Sequence, residues 1–297
     1  MAPDARVLAT PHTRKTAREL GVEIGSVRGS GPNGRITDDD VKAASAARAA
    51  PALRPPATDP APRAAGDTRV PLKGVRRKTA EAMAKSWSTI PHVTHSDEAD
   101  VTELFAFIAR ARPDAERLGV RLTALAFVMK AAVAALQKFP SFNASLDNAT
   151  GELVLHGDHH LGFAADTPAG LMVPVVKDAG AKSVMTLAAE IAALSAKARD
   201  RTIAVDELRG GTFTISNLGG IGGTHATPII LHPQVAILAL MKARQRPVAR
   251  DGGVAIRTIM PLDLSFDHRV VDGAEAARFV NQLVKLLEDP LRLLVEG

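Results

Sequence analysis

Ser265-Phe266-Asp267-His268-Arg269-Val270-Val271-Asp272-Gly273 closes an apolar run, Ile259 to Phe266, and leads into a helical pattern from Ala274 to Leu287. A buried strand thus ends, the chain turns, and a helix starts, with His268 at the turn. Rigid elements on both sides can hold a reactive side chain there. Imidazole titrates near ~6.5, which suits proton transfer at neutral pH. Asp272, four positions on, is placed either to fix the turn or to orient the ring. Asp-Gly is also ordinary turn punctuation, and a single histidine is more often structural than catalytic.

Working outward from that turn, the segment 68–297 reads as one globular domain. Helical spacing runs from Lys73 to Lys85 and is broken by Pro91. Val93 to Val101 alternates as a strand. Thr102 opens a helix to about Arg112, and Thr123 caps a helix, Ala124 to Lys138, that is apolar nearly all round and therefore buried. Short strands follow at Asn143 to Leu146, Leu153 to Leu155, Leu161 to Ala165 and Leu171 to Val176. Thr186 to Arg199 is an amphipathic helix. Thr212 to Ser216 alternates polar and apolar, and Val235 to Met241 and Ile259 to Phe266 are strands. Long helices with segregated strands predict an α+β fold, a mixed sheet covered on one side.

Residues 6–42 read as a very small all-helical domain. Thr10-Pro11 starts a helix that Gly21 stops, glycine-rich turns follow, and Thr37 caps a second helix opening on Asp38-Asp39-Asp40. Its surface is basic: Arg14, Lys15, Arg18 and Arg35. Such charges are usually solvated, but they also suit docking to an acidic partner. Residues 43–67, rich in Ala and Pro without an apolar period, predict an extended linker.

Composition narrows the function. Aromatic residues are 3% of the 297, with one Trp and no Tyr, which argues against a stacking surface for nucleic acid. The net charge of +5 permits an acidic partner without specifying one. The absence of cysteine excludes disulfides and a thiolate nucleophile and suits a reducing compartment. No signal-peptide pattern opens the chain, and no apolar run spans a membrane; the expectation is a cytoplasmic protein. Gly219 to Gly223 lacks the Lys-Ser/Thr of a phosphate loop. His156, His159 and His160 sit in a polar turn, and no metal site is expected. Ser216, at a strand end, is either a hydroxyl bonded to backbone or a donor to a developing oxyanion.

The chain resembles the dihydrolipoamide acyltransferase component of the 2-oxo acid dehydrogenase complexes. Asp267 to Ala274 is similar to that family's active-site signature, and Gly210 to Gly219, with Thr212-Phe213-Thr214-Ile215-Ser216-Asn217, to its second motif. Ile90-Pro91-His92-Val93-Thr94, Asp100 to Leu104 and Asp166 to Val175 are similar to further family blocks. Leu8-Ala9-Thr10-Pro11 through Gly34-Arg35-Ile36 resembles the peripheral-subunit-binding domain.

The resemblance implies a chloramphenicol-acetyltransferase-like catalytic domain that forms homotrimers, assembled further into a cubic or dodecahedral core. It implies acyl transfer between dihydrolipoamide and coenzyme A, of the pyruvate or branched-chain type. His268 would be the base and Ser216, from a neighbouring subunit, the oxyanion donor. Asp272 would hold the site through a salt bridge, with Arg76 or Arg77 as partner. Arg14, Arg18 and Arg35 would grip the decarboxylating dehydrogenase component or dihydrolipoamide dehydrogenase. Family members begin with lipoyl domains; here the lipoyl group would come from a domain absent from this chain. The alternative is a non-catalytic core or docking subunit, but such members lose the histidine, and His268 and Ser216 are both present.

Overall fold

A computed structural model describes residues 8–49, 68–168, 170–250 and 252–296. The chain divides into two compact units between Arg69 and Val70.

In the first unit, α1 (Pro11–Glu19) is capped by Thr10, whose hydroxyl accepts the Thr13 N–H at 3.1 Å. The second helix, α2 (Asp38–Ala49), runs seven residues into the stretch expected to be an extended linker. Alanine is the best helix former, so the alanine-rich start of that stretch simply continues the turn Asp38 begins. The rest of the expected linker, 50–67, lies outside the described residues, as do residues 6 and 7. Ala17, Ile36 and Val41 make the buried core, with Val22 and Ile24 against it.

So small a core needs polar support, and Asp40 supplies it. Its carboxylate accepts from Ser30 N at 3.0 Å, Ser30 Oγ at 2.7 Å and Thr37 N at 2.9 Å. Those backbone N–H groups, Ser30 first, hold the Asp40 carboxyl well below the usual carboxylate range. A folded pKa below the unfolded one means that the stabilisation is complete above about pH 3.9 and is lost as pH falls below it. The melting midpoint of this unit is therefore expected to drop between roughly pH 5 and pH 2, and to drop much less in Asp40→Asn. Equal drops in the two proteins would rule Asp40 out as the cause.

The second unit holds α3 (Val75–Thr89), β1 (His92–Asp100), α4 (Thr102–Arg117), α5 (Ala124–Lys138), β2 (Ala144–Leu146), β3 (Leu153–Leu155), β4 (Leu161–Phe163) and β5 (Val175–Val176). It continues with α6 (Val184–Arg199), β6 (Phe213–Asn217), β7 (Ala236–Leu240), β8 (Arg244–Arg250), β9 (Gly253–Asp267), α7 (Gly273–Glu288) and α8 (Leu293–Glu296). The main sheet has the order β1-β9-β7-β6-β4-β5, with β8 paired to the first half of β9. β4, β6 and β7 run parallel and the other pairs antiparallel, so the sheet is mixed, as expected. β2 and β3 form a separate hairpin.

Alternation along β6 and β9 sends Phe213, Ile215, Leu262, Leu264 and Phe266 into one core with α5 and α7. Within α5, every residue from Leu125 to Leu136 except Lys130 is buried, and Lys130 donates to Gly180 O. The sheet is expected to be covered on one side only, but part of its second face is covered as well. Asp263, Ser265 and Asp267, which point that way from β9, are 0, 0 and 2% exposed. Above that face Ile90, Ile230 and Ile237 pack together, and Ser86 on α3 donates to Ile230 O.

Several elements differ from expectation. α4 continues past Arg112 through Pro113, because the proline removes a single main-chain donor and Ala115 beyond it is packed in the core. The strand expected over Leu171 to Val176 keeps a ladder only at Val175 and Val176; Pro174 has no N–H, and Leu171 is exposed. β8 and the first half of β9 were not foreseen. Edge strands tolerate charges and proline, and Arg244, Arg246 and Pro247 mask this one. Among the described residues, no helix is long and apolar enough to cross a membrane.

Candidate active site

The turn after β9 is tied down through its main chain. Val270 N and Val271 N both donate to Asp267 O at 3.0 Å, and His268 N donates to Pro91 O at 3.1 Å. The Asp267 carboxylate, 2% exposed, accepts from Arg269 Nε at 2.9 Å and Arg269 Nη2 at 2.6 Å. It also accepts from the Arg269 backbone N–H at 3.0 Å. This forked ion pair raises the Arg269 guanidinium pKa above its usual value. Arg269 Nη1 reaches on to Asn148 Oδ1 at 2.8 Å. The His268 ring, by contrast, is exposed, 5.7 Å from the Phe266 ring, and has no side-chain hydrogen bond among the described residues. A fixed main chain thus carries an uncommitted imidazole.

Asp272 does something other than the expected ion pair. It is the N-cap of α7, its Oδ1 accepting the Glu275 N–H at 2.8 Å. Such a cap contributes about 1 kcal/mol to helix stability. Among the described residues Asp272 pairs with no cation, and Arg77 pairs with Glu81 at 3.7 Å. The brace of the histidine turn is Asp267 with Arg269, which the sequence reading left without a role.

Ser216 lies near the end of β6 on the second face, beside Thr214, while Phe213 and Ile215 between them enter the core. A cavity of about 460 Å³ opens there, with Met83, Leu171, Ile229 and Ile237 in its wall. The Ser216 hydroxyl has no partner among the described residues. The alternative of a strand-end hydroxyl bonded to backbone is therefore not what the fold shows.

One wall of this cavity is positioned by a residue that sequence reasoning passed over. His92 Nδ1 lies 2.8 Å from Ile90 O, and Ile230 N lies 3.1 Å from His92 Nε2. A carbonyl only accepts and a backbone N–H only donates, so the ring is neutral with its proton on Nδ1. Ile230 is thereby fixed between Ile229 and Leu231, both of which line the cavity. The link spans two distant stretches of chain, so no local spacing signals it.

His268 and Ser216 are not brought together within one chain. Ser216 pairs with Ala239, and Ala239 with Asp263, whereas His268 follows Asp267 at the far end of β9. The offset along the strands alone is roughly 16 Å. Within one chain, no single reacting atom touches both.

Arg14, Arg18 and Arg35 are exposed on the first unit. In the polar turn, Ser145 Oγ and His156 Nε2 are 2.8 Å apart, and burial lowers the His159 pKa. His160 Nδ1 accepts the Asp178 N–H at 3.0 Å.

Comparison with known proteins fits this geometry. The family model for the 2-oxoacid dehydrogenases acyltransferase (catalytic domain) matches residues 64–295, and that for the e3 binding domain matches residues 7–42. The dihydrolipoyllysine-residue acetyltransferase component of the pyruvate dehydrogenase complex of Cupriavidus necator is 45% identical over 97% of this chain and 55% of its own length. The Bacillus subtilis component of the same name is 42% identical over 99% of this chain and 70% of its own. The chain thus spans little more than half of the first relative.

Among solved structures, the dihydrolipoamide acetyltransferase of Azotobacter vinelandii aligns with a TM-score of 0.76 at 42% identity, covering 80% of this chain and 99% of that one. A structure of the cubic core of the pyruvate dehydrogenase multienzyme complex aligns equally well, with a TM-score of 0.76, 41% identity and the same coverage. The chain belongs to the 2-oxoacid dehydrogenase acyltransferase family, its catalytic domain preceded by an e3 binding domain.

Proposed function

We propose that this chain transfers an acetyl group between coenzyme A and dihydrolipoamide in a pyruvate dehydrogenase complex, and that it builds the core of that complex in the cytoplasm. The observation that carries the proposal is the pair of rigidly mounted, uncommitted groups, His268 and Ser216. The Azotobacter relative has been studied for the role of a serine, a histidine and an asparagine in its catalytic mechanism, and those three stand at the spacing of Ser216, His268 and Asp272 here. Aspartate replaces the asparagine, and as a helix cap it supports the turn rather than moving protons.

His268 takes the proton from the attacking thiol. Free thiols have a pKa near ~8.5, within reach of an imidazole base. The thiolate adds to the thioester carbonyl, and the oxyanion accepts a hydrogen bond from Ser216 of a neighbouring copy. The intermediate collapses with loss of the other thiolate, which His268 protonates. The serine donor is worth roughly 3–4 kcal/mol of barrier.

A homotrimer supplies the two-copy site, and the relative with a cubic core supports assembly beyond it. Arg14, Arg18 and Arg35 dock the complex's dehydrogenase components, and a lipoyl domain delivers the acyl group to the site.

The test is transfer from acetyl- or isobutyryl-coenzyme A to free dihydrolipoamide by the purified, assembled chain. Faster turnover of the acetyl donor is expected. Failure with both donors would overturn the enzymatic reading, and preference for isobutyryl would move the chain to the branched-chain type.

A further inference from the structure

The cavity beside Ser216 has a nucleophile in its wall that the transfer reaction leaves unused. Along α3, Lys78, Thr79, Ala82 and Met83 all line it, at the three- and four-residue spacings that put side chains on one flank of a helix. The rest of the wall is mostly apolar, with Leu171 and Ile237 among its residues. Lys78 is exposed, and a lysine carries its amine on a four-carbon stem that can lie along apolar surface.

That amine is uncommitted. Glu81, one turn further along α3, pairs with Arg77 at 3.7 Å. Lys78 has neither an ion pair nor a hydrogen bond among the described residues. The threonine hydroxyls of the same wall are taken: Thr79 Oγ1 donates to Val75 O at 3.0 Å, and Thr214 Oγ1 lies 2.7 Å from Gln234 Oε1 and donates to it. Lys78 therefore brings a free amine to a cavity whose serine is placed to polarise a thioester carbonyl.

An acetyl thioester with its carbonyl oxygen on Ser216 meets the same oxyanion donor whether a thiol or an amine attacks it. Sharing one cavity with the thioester also raises the effective concentration of the amine. Only the unprotonated amine attacks. Its nitrogen adds to the carbonyl carbon, the C–N bond forms, the C–S bond breaks, and the sulfur leaves with the electron pair. The surplus proton on nitrogen passes to the thiolate, so the products are an acetylated lysine and a free thiol. The thiolate is the weaker base of the two possible leaving groups, and an amide does not return its acyl group to a thiol, so the modified lysine accumulates.

We propose that Lys78 is a self-acetylation site, modified by the thioester held at Ser216. The proposal rests on the acyl-transfer reading, and the test separates the two. The assembled chain is incubated with deuterated acetyl-coenzyme A and no acceptor, and the label is followed by mass spectrometry of peptides cut at acidic residues. Transfer to dihydrolipoamide is measured in parallel. Lys73 and Lys85, exposed on the same stretch of chain but outside this cavity, report the uncatalysed reaction. Lys78 is expected to take up label at least tenfold faster than either. Ser216→Ala is expected to slow Lys78 at least tenfold and to leave Lys73 and Lys85 unchanged. Labelling of Lys78 no faster than its two references, or indifferent to Ser216→Ala, overturns the proposal, and transfer to dihydrolipoamide seen alongside leaves the acyl-transfer reading standing. If transfer to dihydrolipoamide fails, that reading falls, and the same two comparisons at Lys78 still decide for or against self-acetylation.

Discussion

His268→Ala is expected to lower kcat for acyl transfer by roughly 10²- to 10⁴-fold, the range for removing a positioned general base. The ring itself makes no side-chain hydrogen bond among the described residues. What holds the turn is main chain: the Val270 and Val271 N–H groups on Asp267 O, the His268 N–H on Pro91 O, and the Asp267–Arg269 fork. None of these needs the imidazole, so the variant should keep its assembly and its melting temperature while losing chemistry. Single-turnover transfer from acetyl-coenzyme A to dihydrolipoamide measures the loss directly. A variant that retains more than about a tenth of the wild-type rate would remove His268 from the role of base. The contrast with Arg269 sharpens the test. Leaving the buried Asp267 carboxylate without its guanidinium partner costs about 3–5 kcal/mol of stability, so Arg269→Ala should fail by unfolding the turn rather than by losing a proton acceptor.

Much of this arrangement was legible in the residues themselves. The run Ile259 to Phe266 ending on a histidine, then a helical period, placed His268 at a strand-to-helix turn, and there it lies. The alternation Thr212 to Ser216 placed the serine on the face opposite the apolar core, and it faces a cavity there. For Asp272 the turn-fixing reading is the one the fold shows, and the ion pair implied by the resemblance is not made among the described residues. An aspartate four residues after a histidine and just before a helix suits an ion pair and an N-cap equally well, and only the 2.8 Å contact with Glu275 N separates them. Arg269 lies only two residues from Asp267, yet their fork depends on the chain reversing there, which spacing does not reveal. β8 was hidden because an edge strand is stabilised by its neighbour in the sheet rather than by its own apolar pattern. His92 holds the cavity wall through Ile230, a contact that exists only after the sheet has formed.

The sheet register leads to the second large effect. Ser216→Ala alone is expected to lower kcat roughly 10²- to 10³-fold, as for other single oxyanion donors. Its more telling outcome comes on mixing. Ser216 and His268 of one chain lie far apart along the strands, so the proposed mechanism requires a serine from one copy and a histidine from another. When Ser216→Ala and His268→Ala chains are unfolded together and reassembled in equal amounts, a site in a ring of heterologous contacts is intact where a chain with Ser216 faces a chain with His268. That combination arises in about one site in four, so activity should return to about a quarter of wild type from two nearly inactive parents. Mixing the same two proteins after separate assembly should return none of it. Both groups acting from a single chain would leave the co-assembled mixture as inactive as its parents, since every chain in it lacks one of the two. That result would break the two-copy site, and with it the assignment of Ser216 as the donor to the oxyanion formed beside a neighbour's His268.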